Sequence, residues 1–457
     1  MKREAAKGNA IRCSMTLMMG LLLFFATGNI VKAQSMMPED KEITSAEQAE
    51  IIDSVCAAMN RIYVFPDVAA KMEKHLRKRY KEKAYDDKKM LDEFAEMLTA
   101  DLQEISNDKH LWLRAASPEY IARFSGDSLT CPAREELLKI SRYENFDFIK
   151  AERLSGNVGY LKFNSFRDAG NAGSTAIAAL NFLAYVDALI IDLRDNGGGE
   201  PSMIQLITSY FFDQPVHLNS FYIRQLDSIQ QFWTQSYVEG PRMSNVDLYV
   251  LTSNYTFSGA EEFSYNLKNL GRATIIGETT GGGAHPTESH IFANLSIGAS
   301  IPYGRAINPI TGTNWEGVGV KPHIEVPADQ AMDVAYLEAL KRLKDKTTDE
   351  GKAFALQWGI DGLNAKLHPV TTEPEKLKSC VGIYGPRTIT YEEGTLYYQR
   401  EGRSKMILIP MAEDVFTAGD IEYFRLKVIR DQDGKAIALE GMYDNGMVDK
   451  SPRSDGK

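Results

Sequence analysis

The chain has 457 residues, of which 44% are hydrophobic, 25% charged and 10% aromatic, with 35 glycines and 17 prolines. This is ordinary globular composition, which excludes disordered, collagen-like and coiled-coil readings; domains of roughly 100–200 residues would divide the length into about two to four units. A formal charge of −10 with no basic stripe disfavours nucleic acid as a partner.

The first 33 residues read as an address. Lys2, Arg3, Lys7 and Arg12 precede an apolar run from Met15 to Ala26, and Val31-Lys32-Ala33 follows. A basic stretch, a short apolar core and small residues before a cut predict a signal peptide, with cleavage near Ala33 and a periplasmic or extracellular destination. The run is shorter than the roughly 20 residues a membrane span needs, and no later stretch reaches that length, so no stable membrane span is expected in the mature chain. Cys13 precedes the apolar run, which is not the place for lipid attachment. Cys56, Cys131 and Cys380 remain after cleavage and allow one disulfide at most.

Over residues 34–125 a helical domain is expected. Ile51, Ile52, Val55 and Met59, then Val68, Met72 and Leu76, then Leu91, Phe94, Leu98, Leu102 and Ile105 fall at helical spacing, punctuated by Pro66 and by Asp86-Asp87. Between Leu111 and Lys150 the pattern is mixed. From 150 to 350 strand-like runs (Val158–Phe163, Ala188–Leu193, Leu248–Thr252, Ala273–Ile276) alternate with helical ones (Ala176–Tyr185, Pro201–Phe211, Gly259–Leu270, Ala331–Leu343), the signature of an α/β core. Lys346–Glu350 reads as a linker. From 370 to 450, strand runs separated by turn residues predict a small all-β barrel or sandwich.

Two loops carry candidate chemistry. Leu193-Arg194-Asp195-Asn196-Gly197-Gly198-Gly199 leaves a strand and leads to Pro201, which suits a first helical turn. Its glycines permit a sharp turn that presents N–H groups to negative charge; a plain strand-to-helix connection has the same look. Ser258, in Asn254-Tyr255-Thr256-Phe257-Ser258-Gly259-Ala260-Glu261, opens a helix. It reads either as the cap of a Ser-x-x-Glu box with Glu261 or as a nucleophile at a strand-to-helix turn. No Cys-x-x-Cys, His-Glu-x-x-His, Walker loop or G-x-G-x-x-G occurs, so neither a metal nor a cofactor is expected.

Taken in order, four blocks resemble the S41 family of serine peptidases, the tail-specific or carboxyl-terminal processing proteases. They are Ala188-Leu189-Ile190-Ile191-Asp192-Leu193-Arg194-Asp195-Asn196-Gly197-Gly198-Gly199, Ser258-Gly259-Ala260-Glu261, Ile276-Gly277-Glu278-Thr279-Thr280-Gly281-Gly282 and Glu316-Gly317-Val318-Gly319-Val320-Lys321-Pro322. The resemblance covers about residues 155–345 and implies a ClpP/crotonase-like α/β catalytic core. The family's Ser-Lys branch carries a lysine 25 residues beyond the nucleophile; here that position is Gly283. The tricorn-type and retinoid-binding branch is the better match, because it takes a histidine from an upstream Asp-x-His segment, here Asp108-Lys109-His110, and a glutamate before Gly-Val-x-Pro, here Glu316.

The resemblance therefore implies Ser258 as nucleophile, His110 as general base, Glu316 as the carboxylate that orients it, and Gly199 and Gly259 as oxyanion donors. His285 is the alternative base or a substrate-cleft residue, and Glu278 a loop brace. Lys109 stands where the family motif commonly has a small residue, and the C-terminal β-rich region lies outside the resemblance. An exported serine endopeptidase acting on unstructured peptide or protein substrates is the expected function. A non-proteolytic apolar-ligand binder and an esterase or amidase are the alternatives on the same fold.

Overall fold

A computed structural model describes residues 41–454; the expected signal peptide lies outside them. Helices Ser45–Ile62, Pro66–Lys81 and Leu91–Ser106 form the N-terminal helical region. Thr44 caps the first through a reciprocal box with Glu47, and Pro66 starts the second, where the N–H that proline lacks would have no helical acceptor. Their apolar stripes meet in one core, where Val55, Met72, Leu76, Phe94 and Leu98 are fully buried.

That core does not close on helices alone. The strand Trp112–Ala115 runs antiparallel to Ile297–Pro302, which pairs in turn with Thr287–Phe292. Leu111, Leu113, Ile297, Ala299 and Ile301 fill the floor of the helical bundle. The region read as mixed thus holds the seam between the helical part and the catalytic part. It also contains a helix, Cys131–Tyr143, and an edge strand, Phe148–Leu154.

The central sheet has six strands in the order 324–325, 273–277, 247–252, 188–192, 158–163 and 148–154, all parallel except the last pair. Alternate residues face opposite layers. Leu161, Phe163, Leu189, Ile191, Leu248 and Val250 pack beneath helices Ala169–Phe182, Pro201–Ser209 and Gly259–Asn269. Val158, Tyr160, Ala188, Ile190, Tyr249 and Leu251 pack against helices Ala331–Lys346 and Glu350–Leu367. Burial on both faces explains why these strands are continuous apolar runs in the sequence.

One expectation needs correction. The polar stretch at Lys346–Glu350 is a break of three residues, 347–349, between two helices rather than a linker, and Asp349 caps the second by accepting from the Lys352 N–H at 2.6 Å. The C-terminal region is all-β as expected, an eight-stranded antiparallel meander from Gly382–Tyr384 to Val448–Pro452 that nearly closes into a barrel, the Ser454 N–H donating to the Ile383 carbonyl at 2.8 Å. Three of its strands (Gly382–Tyr384, Val415–Ala418 and Val448–Pro452) were not legible as runs because they are short or half-polar. Cys56, Cys131 and Cys380 are all free.

Candidate active site

The strand Asp247–Thr252 sits in the middle of the parallel sheet and ends in a turn stitched to the neighbouring glycine-rich loop. Thr256 Oγ1 donates to the Leu193 carbonyl at 2.8 Å, Ser253 Oγ to the Arg194 carbonyl at 2.5 Å, and the Phe257 N–H to the Asn196 carbonyl at 3.2 Å. Asn196 is wholly buried; its Nδ2 donates to the Phe163 carbonyl at 2.9 Å and its Oδ1 accepts from the Gly198 N–H at 2.9 Å. Asn196 and Thr256 are organising residues that the motif reading passed over, because a polar loop residue shows its burial only after the strands are placed beside each other.

Ser258 stands at the N-terminus of helix Gly259–Asn269 with φ 54° and ψ −121°. Positive φ in a non-glycine residue outside the left-handed helical well costs on the order of 1–3 kcal/mol and is retained where the surroundings impose it. Here the imposing group is Glu261, fully buried, whose carboxylate accepts the Ser258 N–H at 2.9 Å, the Gly282 N–H at 2.7 Å, the Gly283 N–H at 2.8 Å and the Thr280 hydroxyl. The expected capping box therefore supplies its carboxylate half, and that carboxylate also ties the serine turn to the 280–283 loop.

Gly198 and Gly199 adopt φ of 107° and 135°. A side chain on Gly199 would run into the Phe166 backbone, and one on Gly198 would lie 2.7 Å from both Ser258 Cβ and the Gly259 nitrogen. The loop is held open by Phe166, whose N–H donates to the Gly198 carbonyl at 2.8 Å and whose carbonyl accepts from the Glu200 N–H at 2.7 Å. Among the described residues the Gly199 and Gly259 N–H groups have no hydrogen-bond acceptor, and a Cβ on Gly259 would come within 3.0 Å of the Gly199 nitrogen. Two unspent donors thus lie together beside the Ser258 turn, at the positive end of a helix dipole.

His110 comes from the seam between the helical region and the core. Its ring lies against Phe257, the residue before Ser258, at a centroid distance of 4.6 Å. Its backbone N–H donates to Asp108 Oδ1 at 3.0 Å, and Lys109 Nζ donates to the Gly281 carbonyl at 2.6 Å, fastening the Asp-Lys-His segment to the glycine loop. Nδ1 of His110 is buried without a hydrogen-bond partner among the described residues. Burial, reinforced by nearby His285 and opposed by Asp108, lowers its pKa to about 4, so the ring is neutral at pH 7.

Glu316 belongs to a block zipped onto the same loop. Trp315 Nε1 donates to the Gly283 carbonyl at 2.6 Å, the Gly317 N–H to the Gly282 carbonyl at 3.1 Å and the Val320 N–H to Thr280 Oγ1 at 2.7 Å. Glu316 Oε2 accepts the Ala284 N–H at 2.5 Å and lies 3.6 Å from His285 Nδ1; Oε1 is buried without a partner among the described residues. Burial, then the charge of Asp108, raise the Glu316 pKa to about 7.

His285 is itself bound through Nδ1 to Asp108 Oδ2 at 2.6 Å. The structure therefore gathers Ser258, Gly199 and Gly259 around one turn, places His110 beside that turn, and seats Glu316 against His285 and Asp108 rather than in a hydrogen bond to His110. Glu278 accepts the Asn254 N–H at 3.0 Å and the Ala328 N–H at 3.2 Å, a brace between loops. Asp108, His285 and Glu316 offer ligand atoms within 4.8 Å of one another, as do His75, Asp101 and Glu104 on the N-terminal helices. Their nitrogen–oxygen separations of 2.6 to 3.9 Å are those of hydrogen bonds and ion pairs.

The sequence profile of peptidase family S41 matches residues 157–326, and that of the N-terminal domain of Peptidase S41 in eukaryotic IRBP matches residues 33–138. Among solved structures, the chain is similar to the photosystem II D1 C-terminal processing protease, with 16% identity over 63% of this chain and 94% of that one and a TM-score of 0.41. It is also similar to mature CPAF, with 16% identity over 42% of this chain and 52% of that one and a TM-score of 0.35. The tricorn protease is 13% identical over 70% of this chain and 37% of its own, with a TM-score of 0.41. With two profiles of one family matching consecutive regions that carry the serine turn, its glycine loop and the Asp-Lys-His segment, the chain belongs to peptidase family S41 and is a serine-type peptidase.

Proposed function

We propose that the protein is an exported endopeptidase that cleaves unstructured peptide or protein segments through an acyl-enzyme on Ser258. In this reading Ser258 Oγ attacks the scissile carbonyl while His110 takes the hydroxyl proton. The Gly199 and Gly259 N–H groups receive the developing oxyanion, an interaction worth roughly 10²–10³ in rate per donor. His110 then gives its proton to the departing amine, and water, deprotonated by the same ring, releases the acyl group. Glu316, seated in the resting structure against His285 and Asp108, fixes the imidazole tautomer and balances the imidazolium once its Oε1, unpartnered among the described residues, turns to His110 Nδ1. An extended substrate pairs its backbone with the strand edge near Gly199, which favours chains without stable structure.

The observation that carries the proposal is the Ser258 turn: a strained serine beside two N–H groups that have no acceptor among the described residues, with a neutral imidazole against the preceding residue. A fluorophosphonate probe with peptide mapping tests it. Labelling of the Ser258 peptide, lost in Ser258→Ala, is expected; labelling elsewhere, or undiminished in that variant, overturns it. Export rests on residues 1–33, and secretion of the full chain with a new N-terminus at Gln34 is the expected result.

A further inference from the structure

Beside the serine turn lies a second histidine that the proposed chemistry does not use. His285 is only 5% exposed and Asp108 is wholly buried, so their 2.6 Å contact is shielded from water. Asp108 spends one oxygen on the His110 backbone N–H and the other on the His285 ring and the Tyr63 hydroxyl, the latter at 3.2 Å. The edge of the Phe65 ring closes the remaining side of His285, with centroids 5.5 Å apart. Glu316 Oε2 approaches the same nitrogen, 3.6 Å from Nδ1.

We propose that His285 is a positioning residue for peptide hydrolysis: with Asp108 and Glu316 both at its Nδ1, it holds the Glu316 carboxylate in register for His110 and carries the positive charge that two neighbouring buried carboxylates require. The inference rests on the reading of Ser258, His110 and Glu316 given above. Two carboxylates packed together in a dry site do not both ionise unless a cation sits with them.

The groups facing these residues fit that account. His285 faces Asp108, Glu316 and, farther off, Arg305; burial alone would keep the ring neutral, but the hydrogen bond and charge of Asp108, then the charge of Glu316, outweigh burial and raise its pKa. Glu316 faces Asp108 and Glu261, which disfavour its ionisation, and His285, which favours it. Tyr63 adds a neutral hydrogen bond to Asp108. Glu316 Oε1 and His110 Nδ1 are both buried without partners among the described residues, and they are the two atoms a working triad has to join.

The test compares wild type, His285→Gln and His110→Gln by kcat and KM on an unfolded protein substrate, by the pH profile of kcat/KM, and by fluorophosphonate labelling. His285→Gln is expected to lose tenfold or more in kcat with KM little changed, to keep labelling at Ser258, and to move the acid limb of the profile upward by about one pH unit, because Glu316 then holds its proton to higher pH. An acid limb that stays in place while only the amplitude falls overturns the proposal, leaving a packing role. Loss of labelling as complete as in His110→Gln also overturns it, making His285 the base. Labelling that persists in Ser258→Ala would instead sink the underlying triad, whatever His285 does. Where the Gln variant does not fold, imidazole ¹⁵N shifts of the wild type decide: one buried ring protonated on both nitrogens at pH 7 is expected, and neutral rings throughout overturn the proposal.

Discussion

A Cβ at Gly283 would collide with two rings at once, running into Phe257 Cζ and lying 2.6 Å from His110 Cε1. Gly283 is the position at which the Ser-Lys branch of the family carries its lysine. In this chain the space beyond it is filled by an imidazole arriving from a different part of the molecule, so the glycine and the histidine are two halves of one arrangement. Gly283→Ala should therefore displace His110 from Phe257. Overpacking of this kind costs about 1–3 kcal/mol, and kcat/KM is expected to fall by about a hundredfold on roughly 2.7 kcal/mol of lost transition-state stabilisation. Steady-state kinetics beside a circular dichroism spectrum checks this; unchanged kinetics in a folded variant would contradict it.

Gly199→Ala should damage the oxyanion site. Its φ of 135° disfavours any side chain, and the added methyl would meet the Phe166 backbone, turning the Gly199 N–H away from the serine. Loss of one donor predicts a fall in kcat of roughly 10²–10³ with KM nearly constant, read by steady-state assay.

Glu261→Ala tests the brace beneath the nucleophile. The substitution orphans four donors, from Ser258, Thr280, Gly282 and Gly283, inside a buried site. With about 1–3 kcal/mol for each buried donor left unsatisfied and partial relaxation between them, a loss of about 2–4 kcal/mol is expected. Urea unfolding should show a lower midpoint, and fluorophosphonate labelling of Ser258 should weaken.

Activity should rise with pH through about 7. Burial and then Asp108 raise Glu316 to about 7, so below that pH the carboxylate is protonated and cannot support an imidazolium; His110, lowered to about 4, is already neutral there. On the proposed mechanism the acid limb of kcat/KM is expected to follow Glu316 rather than His110, and Glu316→Gln should flatten it. A limb that persists in that variant would assign it elsewhere.

The C-terminal sheet is coupled to the catalytic core through Trp358 on helix Glu350–Leu367. The Arg425 guanidinium lies 3.7 Å from the Trp358 ring centroid and donates to the Trp358 carbonyl, while the indole N–H donates to the Glu422 carbonyl at 2.8 Å. Trp358→Ala should cost about 1–3 kcal/mol from the lost cation–π contact and packing. Differential scanning calorimetry should then resolve separate transitions for the two parts.

Much of the fold was legible because its signals are local. Parallel strands buried on both faces are apolar runs whichever strands they pair with, and the helices Pro201–Ser209 and Gly259–Asn269 announce themselves by proline and by a Ser-x-x-Glu start. The helix Glu350–Leu367 escaped notice because only Leu356 and Ile360 are buried on it, too few for a periodic stripe. At the site, the blocks around Ser258, Gly199 and Glu316 stood out by residue type and order. The partnership of Asp108 with His285 across 177 positions did not, since no local pattern encodes a contact between two loops.

Left to itself, then, the amino-acid order determined which elements form and which residue types are available: an α/β core, a serine at a helix start, glycines beside it, two histidines and several carboxylates. Only the tertiary structure decided which histidine meets the serine turn and which is held by an aspartate. That choice is made by the antiparallel pairing of Trp112–Ala115 with Ile297–Pro302, which brings the Asp-Lys-His segment onto the glycine loop. Backbone pairing between distant segments depends on burying their shared faces together, a free energy that belongs to the assembled core and to no single stretch of chain.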